Sequence, residues 1–259
     1  ELDGAAELMG AHLAEAELLG RRTGELHLEL AADPTSHVFA PEPMSTLQQR
    51  SVYQAIRSTV RTSLSLLRRR RSKIETPESE LIERLVAAEG ELLEKLKSIT
   101  AERIECDRIR IHGDYHLGQV LFTGNDFYII DFEGEPQRPL SQRRLKRLAL
   151  RDVAGMIRSY HYAVVMAMRQ VSEAGLDEDA VVTLQHWAEA VHGYLSAAFL
   201  DGYRQAVEGS SIVPENPTHF RLLLDALIVE KAAYELEYEI NNRPDWVGIP
   251  LQGILSILE

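Results

Sequence analysis

One short island of strand-like and loop-like sequence, residues 108–134, interrupts a chain that otherwise reads as helix, and this contrast most constrains the fold. From Asp3 to about Ala32, Leu8, His12, Leu19, Leu26 and Leu30 recur at helical spacing with acids between them. Asp33-Pro34 and Ala40-Pro41-Glu42-Pro43 end that pattern, because proline lacks a backbone donor and restricts its predecessor. Ser45 is placed to cap a helix reaching about Arg71, with Leu47, Tyr53, Ile56, Val60, Leu64 and Leu67 as its apolar stripe. Thr76-Pro77-Glu78 supplies an N-cap, a first-position proline and an early acid for a helix to about Ser98. Further helices are predicted from about Leu145, from about Asp177 to Val207 and from Pro217 to Asn241, with a short one after Pro244.

Inside the island, Arg108-Ile109-Arg110-Ile111-His112 alternates as a short strand does. Val120-Leu121-Phe122 and Phe127-Tyr128-Ile129-Ile130 flank the turn-rich Thr123-Gly124-Asn125-Asp126, which predicts a hairpin. No internal repeat or low-complexity linker is visible. The 259 residues allow one large domain or two small ones, and 45% hydrophobic content with 26% charge fits a soluble globular chain. Against 28 Lys+Arg stand 40 Asp+Glu, a net charge of −12 that argues against general binding to nucleic-acid phosphates. The single cysteine, Cys106, excludes an internal disulfide and fits a reducing compartment. No signal peptide or membrane span is visible, so a cytoplasmic protein is expected. The first residue is Glu1 rather than Met, which reads as a fragment or a processed chain.

The densest polar cluster falls in the least helical stretch: His112-Gly113-Asp114-Tyr115-His116-Leu117-Gly118-Gln119, then Asp131-Phe132-Glu133-Gly134 beyond the hairpin. Phosphoryl transfer from a nucleotide needs a carboxylate to orient the acceptor hydroxyl and two oxygen ligands to hold Mg²⁺ against the phosphates. A loop aspartate, a carboxamide five residues on and an aspartate at the hairpin's end supply all three. The turn would bring Gln119 and Asp131 together.

The run His112-Gly113-Asp114-x-His116-x-Gly118-Gln119, with Ile130-Asp131-Phe132-Glu133-Gly134-Glu135-Pro136, resembles the catalytic and metal-binding loops of the aminoglycoside-phosphotransferase-like kinases. Gln119, Leu150-Arg151-Asp152-Val153-Ala154-Gly155-Met156 and the stretch from Glu230-Lys231-Ala232-Ala233-Tyr234 to Asn242-Arg243-Pro244-Asp245-Trp246 are similar to the maltokinase group within it. The resemblance implies a mainly α fold, the helical C-terminal lobe of a protein-kinase-like enzyme with a small β-hairpin at its catalytic loop. Residues 1–259 would form that lobe. The N-terminal β-rich lobe, with its phosphate-covering loop and strand lysine, would be absent from this chain, leaving it inactive alone.

The implied reaction moves the γ-phosphate of ATP to maltose, giving maltose 1-phosphate for α-glucan and trehalose metabolism, alone or fused to trehalose synthase. By the same resemblance Asp114 is the catalytic base, Gln119 and Asp131 hold Mg²⁺, and Asp152 is a buried helix acid bonded to the catalytic loop. His112 and His116 are expected to hold the turn. Glu230, Tyr234 and Tyr238 recur at i, i+4 and i+8 and share one helix face, and the resemblance implies that they bind the sugar, with Lys231 beside them and Arg243 and Trp246 at the border. Spacing alone favours both tyrosines as core residues with satisfied hydroxyls; the maltokinase resemblance reverses that preference.

Two basic runs, Arg68-Arg69-Arg70-Arg71 and Arg143 to Arg151, read as a helix C-terminus and a solvated or phosphate-neutralising face. Other readings stay open: another sugar or amino-sugar acceptor, or a non-catalytic docking module beside a glucan-active partner. A further one is a hydrolase or oxygenase holding metal through His112, Asp114 and His116 at i, i+2 and i+4.

Overall fold

The computed structural model describes residues 2–71, 78–136, 138–173 and 178–258. In chain order its elements are α1 (Leu2–Leu30), β1 (Glu42–Pro43), α2 (Thr46–Arg70), α3 (Ser79–Ala87), α4 (Glu89–Lys97), β2 (Asp107–Arg108), β3 (Val120–Phe122), β4 (Phe127–Ile129), α5 (Leu140–Arg143), α6 (Leu150–Glu173), α7 (Glu178–Ala206), α8 (Pro217–Asn242) and α9 (Gly248–Leu255). The chain divides into two compact units, each built from two stretches: residues 1–42 with 108–212, and residues 43–107 with 213–259.

The first unit is organised by α1 against α7. The buried stripe of α1 is Ala16, Leu19, Thr23 and His27, at the i, i+3, i+7, i+11 positions of one helix face. Two of these are polar, and the partners Phe199 and Tyr203 on α7 are fully enclosed. The backbones approach so closely that a Cβ on Gly20 would lie 1.9 Å from Phe199 O, and one on Gly202 1.9 Å from Glu17 O. His12, expected on the apolar stripe, is instead exposed and paired with Glu15, while the side chain of Leu8 lies outside those described. From α6 the face Val153, Ala154, Met156, Ile157 and Tyr160 is buried.

The helix expected from about Leu145 begins only at Leu150. Arg147 is held extended instead, exchanging backbone hydrogen bonds with Ile109 at 2.9 and 2.8 Å. β3 and β4 pair antiparallel, with Val120 opposite Ile129, Leu121 opposite Tyr128 and Phe122 opposite Phe127.

The second unit gathers α2, α3, α4, α8 and α9. Ser45 caps α2 in a reciprocal box with Gln48, each side chain serving the other's backbone N–H. Ile56, Val60, Leu64 and Leu67 are buried as their spacing predicts, whereas Leu47 is 77% exposed. At about 100° per residue the nine positions from Leu47 to Ile56 turn the side chain to the opposite face. The predicted Thr76-Pro77 start lies outside the described residues, and the segment after it forms two helices rather than one. They part at Ala88, which takes the turn geometry φ −84°, ψ 0° just ahead of Gly90. Asn216 caps α8 through Thr218 N and His219 N, with Pro217 in its first turn. Leu223, Leu227, Val229, Ala233 and Leu236 of α8 complete the core with Ile249, Leu251 and Ile254 of α9.

Candidate active site

Asp152, in the first turn of α6 and 2% exposed, organises the catalytic-type loop. Its carboxylate accepts from His112 N at 2.8 Å and Gly113 N at 2.9 Å, so the two peptide groups before Asp114 are pinned to a helix. Gly113 permits the turn with φ +88°. The same carboxylate receives His27 Nε2 at 3.1 Å, and His27 Nδ1 lies 3.0 Å from the Tyr203 hydroxyl. Burial pushes the Tyr203 hydroxyl's pKa well up, which keeps it protonated.

The rest of the loop is tied down with equal economy. Tyr115 is buried with its hydroxyl 2.8 Å from Thr23 Oγ1 on α1, and its carbonyl lies where a Cβ on Gly155 would come within 2.6 Å. Leu117 N donates to Ser159 Oγ on α6 at 3.0 Å. His116 Nδ1 accepts from Gly118 N at 3.1 Å and caps the short 3-10 turn Leu117–Gln119. His112 Nε2 donates to Ile130 O at 2.8 Å, and the ring rests against Tyr115 and Phe132. With Nε2 so used and Nδ1 facing Asp114 N at 3.4 Å, His112 has no lone pair for a metal. Among the described residues no group of three His, Cys, Asp or Glu side chains is arranged to hold one. The hydrolase or oxygenase reading built on His112, Asp114 and His116 is therefore corrected.

The hairpin returns the chain so that Gln119 Nε2 donates to Asp131 Oδ2 at 2.9 Å. Asp131 has φ +63°, a left-handed conformation that aims its side chain out of the strand line toward Gln119. Among the described residues nothing bonds to the carboxylate of Asp114, which is half-buried at the centre of the loop. The hairpin's tip is anchored to α1: Arg22 Nε and Nη2 donate to Asp126 Oδ1 and Oδ2 at 2.8 and 3.0 Å. That guanidinium, with the Phe127 N–H, holds the Asp126 carboxyl below the usual carboxylate range.

The basic run beyond the hairpin is largely engaged. Arg143 donates to Arg138 O and Pro136 O, shaping the segment after Gly134, and Glu42 bridges Arg108 and Lys146 at 2.6 and 3.0 Å. The other basic run ends α2, where Arg68 pairs with Glu89 and Arg71 with Glu83.

The remaining expected site residues lie in the second unit, on α8. Glu230 is buried, Tyr234 is intermediate and Tyr238 is 40% exposed. Lys231 Nζ sits 5.4 Å from the Tyr234 ring centroid. Arg243 stacks over Tyr238 at 5.4 Å and over Trp246 at 4.6 Å, while it clasps buried Glu239 at 2.7 and 2.9 Å. One face of Tyr238 is thus covered by a guanidinium. Sequence reasoning missed His27, Thr23, Arg22 and Ser159. The signal available was Gly20-x-x-x-Gly24, a spacing that announces a close helix approach along the face carrying Thr23 and His27.

Comparison with known proteins bears on this geometry. A curated glucosamine kinase of Streptacidiphilus jiangxiensis is 28% identical over 151 residues, 58% of this chain and 32% of that protein. One from Mycolicibacterium smegmatis is 26% identical over 148 residues, 57% of this chain and 34% of that protein. The structure of a glucosamine kinase in complex with glucosamine, ADP and inorganic phosphate superposes with a TM-score of 0.76 at 22% identity, covering 97% of this chain and 53% of that one. A second crystal form of glucosamine kinase gives 0.74 at 23% identity. The chain therefore shares their fold and spans about a third of the curated relatives and about half of the solved chains. Residues 3–134, which run from α1 through the loop, the hairpin and Asp131, match the family described as phosphotransferase enzymes, and the chain belongs to that phosphotransferase enzyme family.

Proposed function

We propose that this protein transfers the γ-phosphate of ATP to a sugar hydroxyl, with Asp114 as the base that accepts the hydroxyl's hydrogen bond. The observation that carries this reading is the Gln119–Asp131 contact beside a loop fixed by Asp152. That contact uses Gln119 Nε2 and Asp131 Oδ2, which leaves Gln119 Oε1 and Asp131 Oδ1 as hard oxygen donors of the kind Mg²⁺ takes. Bound there with the nucleotide, Mg²⁺ would neutralise charge on the phosphates. The exposed pair Leu121 and Tyr128 continues the hairpin as an apolar surface suited to a nucleoside base.

Asp114 needs no metal to do its part. With His112 and Gly113 N–H held by Asp152, its backbone is fixed, and its carboxylate carries no competing bond within the described structure. A positioned carboxylate of this kind contributes about 10² to 10⁴ in rate. Because the chain spans about half of the solved kinases it resembles, the reaction is assigned to it together with the nucleotide-covering lobe expected from the sequence.

The acceptor is proposed to be a sugar bound through Glu230, Lys231, Tyr234 and Tyr238. The maltokinase resemblance favours maltose; the glucosamine kinases among the relatives favour glucosamine as the second reading. An acceptor panel containing both sugars, followed by ADP release from protein carrying both lobes, tests this. Turnover of one sugar with loss of about 10² to 10⁴-fold in Asp114→Asn is the expected result. Unaltered turnover in Asp114→Asn would remove Asp114 from its role, and no turnover of any sugar would overturn the reading.

A further inference from the structure

Asp152 brings three helices to one carboxylate, and two of them have no role in the chemistry proposed above. α6 carries the acid itself, α1 carries His27 and α7 carries Tyr203. All three side chains are enclosed: His27 and Tyr203 are 0% exposed and Asp152 is 2%. A buried carboxylate is costly unless donors surround it. Here Oδ1 receives Gly113 N, while Oδ2 receives both His112 N and His27 Nε2. A carboxylate oxygen only accepts, so Nε2 carries a proton whatever the charge of the ring. The Tyr203 hydroxyl occupies Nδ1 at 3.0 Å, and its ring meets the imidazole edge-on, with centroids 5.6 Å apart and planes at 83°. Both ring nitrogens are therefore engaged, and the ring cannot flip without losing two buried bonds.

We propose that His27 is a positioning residue: held by Tyr203, it locks the Asp152 carboxylate in the rotamer that grips His112 and Gly113 and so sets the place of Asp114. The inference rests on the catalytic role proposed for Asp114. The packing supports it independently. Gly20 and Gly202 let α1 and α7 approach within a distance that no Cβ would allow, and this approach brings His27 and Tyr203 together. Without His27, Oδ2 would keep a single donor, and the carboxylate would be held only by the two loop N–H groups that it positions, with no donor from α1 to fix its rotation. The loop would lose its fixed origin while the fold kept its core.

Amide hydrogen exchange at His112 and Gly113 in the present chain reads this directly and requires no kinase activity. The variants are His27→Leu, which keeps the bulk and loses both bonds, His27→Gln, which restores an N–H donor at similar reach, and Tyr203→Phe, which removes one hydroxyl. Leu236→Ala, in the second unit, is the control for general destabilisation.

We expect exchange at the two amides to rise on the order of tenfold in His27→Leu beyond any rise in Leu236→Ala, the scale of one lost charge-assisted hydrogen bond. His27→Gln should return most of that protection. Tyr203→Phe should raise exchange at the same amides by about threefold, corresponding to a weaker neutral bond; it serves where His27→Leu does not fold. Equal exchange in His27→Leu and Leu236→Ala, or no recovery in His27→Gln, would overturn the inference. With the nucleotide-covering lobe present, His27→Leu should lower kcat and leave the KM for nucleotide unchanged, and an unchanged kcat would overturn it too. A wild-type protein that phosphorylates no sugar while its exchange pattern follows these expectations would remove the catalytic reading and leave the loop lock in place.

Discussion

Gln119 and Asp131 stand twelve residues apart in the chain and share one hydrogen bond, Nε2 to Oδ2 at 2.9 Å. Their meeting depends on a three-residue antiparallel pairing and on one left-handed residue, Asp131 itself, with φ +63°. Geometry and charge can be separated at this position. Asp131→Asn keeps a side chain that tolerates the left-handed region and should leave stability within about 0.5 kcal/mol. Asp131→Val should cost about 1–2 kcal/mol, because a branched Cβ crowds the carbonyl in that conformation. Thermal melts measure both. In protein competent for phosphoryl transfer, Asp131→Asn should also raise the Mg²⁺ concentration needed for half-maximal turnover, and an unchanged requirement would detach Asp131 from the metal.

The α1–α7 crossing makes an opposed pair of predictions for two glycines on one helix. Gly20→Ala would drive a Cβ to 1.9 Å from the Phe199 carbonyl oxygen, a backbone atom that cannot step aside. Overpacking of this kind costs about 1–3 kcal/mol. Among the described residues nothing lies within 4 Å of a Cβ on Gly10, and Gly10→Ala should stabilise the helix by up to about 1 kcal/mol. Chemical denaturation of the two variants should move the midpoint in opposite directions.

Acid should weaken the first unit through His161. Burial, then the neighbouring Arg158 guanidinium and His192, depress its pKa to about 2, and Arg158 Nη1 donates to its Nδ1 at 2.7 Å. His192, 4.9 Å away ring to ring, is lowered as well, chiefly by burial. The unfolded imidazole titrates near its ordinary value of 6.5. Above that pH neither state holds the extra proton and stability is full. As pH falls from 6.5 toward 2 the unfolded chain binds a proton that the folded chain refuses, so stability drops by about 1 kcal/mol per pH unit. His161→Gln should flatten this slope in urea titrations run between pH 7 and pH 4, and an equal slope would show the acid sensitivity to lie elsewhere.

Cys106 should be chemically silent in the native protein. Burial, with Asp107 beside it, pushes its thiol up to about 12, so at pH 8 only about one molecule in 10⁴ carries the reactive thiolate. Intact-mass measurement after iodoacetamide should show no adduct in buffer and one adduct in denaturant. Rapid labelling of the folded protein would show that the second unit opens far more readily than its packing implies.

Local features were legible because they depend only on neighbours in the chain. Ser45 and Gln48 form the capping box that their spacing allows, Asn216-Pro217 opens α8, and Ile56, Val60, Leu64 and Leu67 fall on one buried face. Leu47 was misread because an apolar residue near a helix start counts toward a stripe until its angle is measured. The split between α3 and α4 and the late start of α6 went unseen for a different reason. The turn at Ala88 is a local backbone geometry that the apolar spacing does not register, and the extended Arg147 is settled by its pairing with Ile109, thirty-eight residues away.

The sequence by itself determined the kind of chain this is: helices broken once by a loop and a hairpin carrying Asp114, Gln119 and Asp131 at fixed intervals. Those intervals suffice to name the loop because hydrogen bonds within it, such as His116 to Gly118, are made over two or three residues. Asp152, His112 and His116 are expected from the resemblance to hold the loop; tertiary structure alone decided what reaches it and Asp152 from α1 and from the rest of α6. His27, Thr23 and Ser159 reach it from α1 and α6 across 125, 92 and 42 residues, respectively, through bonds to Asp152, Tyr115 and Leu117. Polar residues on a helical face look alike in sequence whether they meet water or a buried carboxylate. Only the close passage of one helix over another, set by glycines whose partners lie far along the chain, separates the two cases.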